Sequence, residues 1–146
     1  MKQVVYGGDA FFIPWICART GGSVENSRGV SIGLWDTETD LPLAGVLYED
    51  FNGASIVAHI AAVPGKSWLS RTYLTHIFAY PFSQLSCKVV LLTIAEGNRD
   101  SRKFAEALGF TLSALLKDAH PTGALCIYSM ARADCRWLEG IKNGKS

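Results

Sequence analysis

Residues 54–63 read ASIVAHIAAV, Pro64-Gly65 stops them, and KVVLLTIA follows at 88–95. The first run is apolar apart from Ser55 and His59, so it reads as a central strand covered on both faces. The second run is another buried strand. Between them, 67–80 places Trp68, Leu69, Tyr73, Ile77 and Phe78 near helical spacing, and Pro81 ends or redirects that helix. Strand, helix, strand implies two parallel strands joined by a right-handed crossover.

Upstream, residues 4–6 form a short strand ending at Gly7-Gly8. A helix over 10–19 takes Asp9 as its N-cap and carries Phe11, Phe12, Trp15 and Ile16 on one side. Pro14 is tolerated only near a first turn, which predicts a late start. Gly21-Gly22 ends the helix, and 23–29 is a polar loop. Strands follow at 30–36, where Trp35 breaks the alternation, and at 43–48. Glu49 and Asp50 lead into an Asn52-Gly53 turn. Downstream, 101–108 is a short helix capped by Gly109. Residues 110–116 and 124–130 pair antiparallel across a polar turn at 117–123. The order β-α-β-β-β-α-β-α-β-β describes an α/β chain with a mixed sheet and helices packed on it.

A length of 146 residues suits a single domain over 1–140, with a frayed tail at 141–146. Hydrophobic residues at 49% and charged residues at 18% exclude disordered and collagen-like chains. Fourteen Lys plus Arg against thirteen Asp plus Glu leave +1, which gives no electrostatic case for a nucleic-acid or membrane-surface binder. Cys17, Cys87, Cys126 and Cys135 form no CxxC pair, and His59, His76 and His120 are scattered among them, so no metal site is expected. An even count leaves two disulfides open. Cys87 and Cys126 sit in apolar runs, however, where a thiol is a small core residue, and a reducing, cytoplasmic compartment is the expectation. The apolar run at 10–18 is too short to cross a bilayer, and Asp9 and Pro14 argue against a signal peptide.

The stretch NRDSRKFAEALGF at 98–110 resembles a signature of the GCN5-related N-acetyltransferases (GNAT superfamily), N-x-x-A/S-x-x-F/L-Y-x-x-x-G-F. Asn98, Ser101, Phe104, Gly109 and Phe110 fit it. The chain also resembles short GNAT-like proteins of bacteriophages and prophages. The resemblance implies a central mixed sheet of six to seven strands with helices on both faces. It further implies that the central strand splays from its parallel neighbour and holds the pantetheine arm of acetyl-CoA through free backbone, here at Ala61 and Val63, with Asn98 and Phe104 beside it. The pyrophosphate is expected on amides at the start of the next helix, over Lys66, Ser67, Trp68, Leu69, Ser70 and Arg71.

This sequence departs from the family at two places. Leu69 and Arg71 stand where the family's phosphate loop has small residues, and Ala105 stands where many members carry a Tyr that protonates the leaving thiolate. The resemblance makes His59 the candidate base, since an imidazole can take a proton from an ammonium nucleophile near neutrality. Glu49 and Asp50 are the alternatives. Asn98 doubles as a helix N-cap, and His59 read without the family is a core histidine bonded to backbone or water. The implied activity is direct acetyl transfer from acetyl-CoA to a small-molecule or protein amine, with residues 23–28 setting specificity. The competing reading is a non-enzymatic GNAT-like structural or interaction protein. A homodimer and virion proteins are the macromolecular partners left open.

Overall fold

The computed structural model describes residues 1–24, 29–65 and 68–138. Among these the chain runs β1 (Lys2–Tyr6), α1 (Asp9–Thr20), β2 (Val30–Asp36), β3 (Leu41–Glu49), β4 (Ser55–Ala62) and α2 (Arg71–Ala79). A π-helical turn (Tyr80–Gln84), β5 (Val89–Ala95), α3 (Arg99–Leu108), β6 (Thr111–His120) and β7 (Gly123–Ala131) follow. The expected order of elements holds throughout. Seven strands form one sheet in the order β1-β2-β3-β4-β5-β7-β6. Among the described residues only β4 and β5 pair in parallel, as the apolar runs around α2 required. The frayed tail expected at 141–146 lies outside the described residues.

Helices cover both faces of the sheet. Helix α1 lies on one face, where Phe12, Ile16 and Cys17 pack with Leu47 and Ala61. Helices α2 and α3 lie on the other, in a larger core that includes Tyr48, Ile56, Tyr73, Phe78, Leu92 and Tyr128. Gly33 and Gly45 are register partners across β2 and β3, and α1 rests directly on them. A Cβ on Gly45 would stand 2.8 Å from the Ile16 Cδ1, and one on Gly33 would enter the Phe12 ring. Trp35, which broke the alternation in the sequence, sits at a β-bulge between Leu34 and Trp35.

Several local expectations are corrected. Gly8, not Asp9, occupies the N-cap of α1, and its carbonyl accepts from Phe11 and Phe12 N–H. The Asp9 carboxylate instead accepts from the Ser31 N–H at 2.8 Å and Ser31 Oγ at 2.6 Å, tying the helix to β2. Pro14 does not delay the helix, because it stands on the exposed side while Phe12 and Ile16 anchor the buried side. Helix α2 starts at Arg71 rather than 67. Ser70 is extended there, and its Oγ accepts from the Tyr73 N–H at 3.1 Å. Pro81 lies within the π-helical turn, closed by Leu85 N–H to the Tyr80 carbonyl at 3.0 Å. The β6–β7 turn is only Pro121-Thr122, with His120 opposite Gly123. Lys117 and Asp118 belong to β6, where an edge strand accepts polar residues at no desolvation cost.

All four cysteines are buried, and Cys17, Cys87 and Cys126 form no disulfide. Among the described residues no helix is long and apolar enough to cross a membrane, and no three His, Cys, Asp or Glu side chains gather as a metal site.

Candidate active site

Strands β4 and β5 touch only at their beginnings, where Ser55, Ile56 and Val57 pair with Val89, Val90 and Leu91. Beyond Val57, β4 stays with β3 as far as Ala62, while β5 stays with β7 as far as Ala95. The two edges therefore separate and leave a wedge. It holds a cavity of about 360 Å³ walled by Ala58, Ile60, Leu92, Ile94 and Phe104.

The polar lips of the wedge follow from strand parity. The Val63 N–H donates to the Leu43 carbonyl at 2.9 Å, so 63, 61, 59 and 57 turn their backbone groups toward β3. Ala58, Ile60 and Ala62 turn theirs toward the wedge. On β5, Glu96 N–H bonds the Ala124 carbonyl and Arg132 N–H bonds the Lys88 carbonyl. Even-numbered residues thus face β7, which leaves Thr93 and Ala95 facing the wedge. The expectation that Ala61 and Val63 offer free backbone is displaced by one residue, because the antiparallel ladder with β3 already uses them. Chain composition could not fix that parity.

His59 lies at one end of the cavity, on the face covered by α1, beside 19–22 at the end of that helix. Its Nε2 stands 3.0 Å from the Glu49 Oε1, with the two side chains 27% and 24% exposed. The core-histidine reading gives way to this half-buried pair, and Glu49, the alternative base, is drawn into it. Asp50 is exposed in the left-handed region at φ 58 and takes no part. Cys17 lies nearby. Burial, and then the charge of Glu49, push its thiol pKa up, so it is no nucleophile there.

Asn98 and Ser101 line the α3 end of the cavity. Asn98 Oδ1 caps the helix by accepting the Ser101 N–H at 3.2 Å, so the N-cap role holds while the residue still lines the wedge. His120 also lines the cavity, its Nδ1 2.9 Å from Thr122 Oγ1. Sequence reading missed His120 because 117–123 read as a turn; its polar neighbours belong to an edge strand.

The phosphate-loop residues are only partly brought to this site. Lys66 and Ser67 lie outside the described residues, as do 25–28 of the expected specificity segment. Trp68 is 5% exposed, with its ring 5.2 Å from Phe104 and 6.5 Å from Tyr73. It joins α2 to α3 as core. The Ser70 N–H is already bonded to the Trp68 carbonyl at 2.9 Å, which removes it from the expected set of free amides. Leu69 is exposed, and the Arg71 guanidinium stands 6.0 Å from the Trp137 ring.

The tyrosines sit elsewhere. The Tyr128 hydroxyl donates to Glu106 at 2.8 Å and accepts from Arg102 Nε at 3.0 Å beneath α3. The Tyr73 hydroxyl donates to the Ile32 carbonyl at 2.8 Å. Ala105, at the family's Tyr position, is fully buried.

No protein-family model and no curated protein matches this sequence. Solved structures do. The spermidine N-acetyltransferase SpeG N152L mutant from Vibrio cholerae superposes with a TM-score of 0.71 at 15% identity, covering 97% of each chain. The same organism's spermidine/spermine N-acetyltransferase SpeG in complex with manganese ions gives 0.68 at 14% identity, covering 98% of this chain and 95% of that one. A GNAT-family acetyltransferase from Bacillus anthracis gives 0.58 at 12% identity over 69% of this chain and 65% of that one. The sheet order, the splayed parallel pair and these superpositions agree: the chain has the fold of the GNAT acetyltransferases.

Proposed function

We propose that this protein is an N-acetyltransferase that moves an acetyl group from acetyl-CoA to an amine by direct attack. The observation that carries this reading is the wedge beyond Val57 and Leu91, open between strand edges with unpaired backbone groups, with His59 at its end. The residues suit a pantetheine arm. Ala58, Ile60, Thr93 and Ala95 offer backbone N–H or C=O along its length, and Leu92, Ile94 and Phe104 offer apolar wall. Structural neighbours of this fold are named as spermidine and GNAT-family acetyltransferases, which supports the class of reaction.

In this reading an ammonium acceptor enters beside 19–22 and gives one proton to His59. The freed lone pair on nitrogen forms the new C–N bond at the thioester carbonyl. The C–S bond then breaks with its electron pair going to sulfur, and the second nitrogen proton is lost as the amide forms. Sulfur takes up a proton, and the one on His59 passes to solvent. No tyrosine reaches the wedge, and a thiolate is a good enough leaving group to depart without one. Lys66 and Arg71 supply positive charge toward the pyrophosphate, and Asn98 bonds cosubstrate or acceptor. The acceptor is a small-molecule or protein amine.

A second reading, a GNAT-like protein without catalysis, is favoured by one observation. Trp68, inside the expected phosphate loop, is packed as core, with the Ser70 amide already engaged. Calorimetric titration with acetyl-CoA at low and high salt separates the two. The enzyme reading expects heat that weakens with salt, because partly exposed charges are screened. It also expects Arg71→Ala to lower affinity by about 1–3 kcal/mol, the scale of a hydrogen bond to a charged group. No heat at millimolar acetyl-CoA selects the second reading. Heat that is equal for the two proteins keeps the enzyme and frees Arg71 from the site.

A further inference from the structure

We propose that Glu49 is a positioning residue that aims His59, an inference that rests on the acetyltransferase reading and deepens it. Leu47 is opposite His59 and Glu49 is opposite Val57 in the β3–β4 register, so Glu49 and His59 are diagonal neighbours on one face of the sheet. At 3.0 Å from Oε1, Nε2 meets a group that only accepts, so Nε2 carries the hydrogen and Nδ1 keeps its lone pair. Nδ1 is therefore the nitrogen offered to an acceptor ammonium. When it takes that proton, the imidazolium that forms already faces a carboxylate.

The carboxylate is itself held in place. Gly29 passes so close to the end of β3 that a Cβ there would stand 2.9 Å from Glu49 Cγ. Cys17 packs near it from α1, buried and neutral. Among the described residues no Lys or Arg is paired with Glu49, and His59 is its ion-pair partner. A lone, partly exposed ion pair contributes little to stability, so its place beside the cavity that His59 lines points to orientation rather than to holding the fold.

The test combines a spectrum with a mutant cycle. In the ligand-free protein the His59 Nε2–H proton should be visible by ¹⁵N-edited NMR, slowed in exchange by its bond to Glu49, and lost to solvent exchange in Glu49→Ala. With acetyl-CoA and spermidine, tyramine or a lysine peptide as acceptor, Glu49→Gln should lower kcat about tenfold and leave the KM for acetyl-CoA unchanged. The same substitution placed on His59→Gln should change nothing further, because Glu49 acts through His59. Equal losses in both backgrounds overturn the proposal, as does a wild-type ring proton that exchanges freely. A visible ring proton with no turnover of any acceptor by the wild type overturns the acetyltransferase reading, and this role with it.

Discussion

Val57 and Leu91 are the last residues to face one another across the parallel pair, and every wedge-facing backbone group on β4 lies beyond them. From that point β4 has a ladder on one side only. The Ala58 N–H still reaches the Leu91 carbonyl to close the last parallel bridge, and the alternate amides of Ile60 and Ala62 then lack a strand partner, while those of His59, Ala61 and Val63 bond to β3.

Amide hydrogen exchange should therefore alternate along β4. In the free protein the 60 and 62 amides should exchange faster than those at 59, 61 and 63, and added acetyl-CoA should slow the first pair. NMR-detected exchange reads each site separately. Uniform protection from 59 to 63 in the free protein would contradict the splayed pair.

Gly33 sits beneath Phe12, which is 2% exposed and in contact with the Trp15 and Trp35 rings, so its ring has little room to retreat. Gly33→Ala should destabilise the fold by about 1–3 kcal/mol, the range for overpacking a core. Chemical denaturation measures it. Phe12→Leu added to Gly33→Ala should cost less than the two changes separately, since the smaller side chain vacates the space.

The strands and their order were legible because apolar runs bounded by Pro-Gly and Asn-Gly are local signals, and the parallel pair followed from the one crossover between them. The ends of the helices were less so. Whether Asp9 caps α1 or binds Ser31 depends on how β2 lies against the helix, a contact spanning 22 residues of sequence. The Gly33–Gly45 platform has the same character, as two glycines far apart become one surface only in register. At the site, His59 and Asn98 were legible through the family motif and their strand and helix positions. The pairing of His59 with Glu49 needed the diagonal of the β3–β4 ladder, and His120 was hidden inside a polar stretch that forms an edge strand.

Tyr48 and Tyr73 should make the fold sensitive to alkaline pH. Both are buried, and loss of water around the phenolate raises both pKa values above the ordinary tyrosine value. Their hydroxyls donate to the Ile77 and Ile32 carbonyls. In the unfolded chain tyrosine ionises near pH 10. Above that pH the unfolded state releases protons that the folded state keeps, so stability falls as pH rises. Below about pH 10 these two groups should give stability no slope. Denaturant midpoints taken from pH 8 to 11 should show the decline, and Tyr73→Phe should make it shallower. An unchanged slope in Tyr73→Phe would mean that its phenol ionises while the protein is folded.

Trp68 ties the start of α2 to the core, and its ring should report whether the expected phosphate loop adapts to a ligand. The Trp68 carbonyl holds the Ser70 N–H, and its ring bridges Tyr73 on α2 and Phe104 on the wall of the wedge. A pyrophosphate that recruits the Ser70 amide must first break that bond, which draws Trp68 out of its place between the helices. Titration with acetyl-CoA should then shift tryptophan emission to the red as the indole meets water. Trp68→Phe should lose the shift, although Trp15, Trp35 and Trp137 remain. Calorimetric heat with emission unchanged would mean that the cosubstrate binds with this corner intact, leaving the phosphates to the amides and side chains around it.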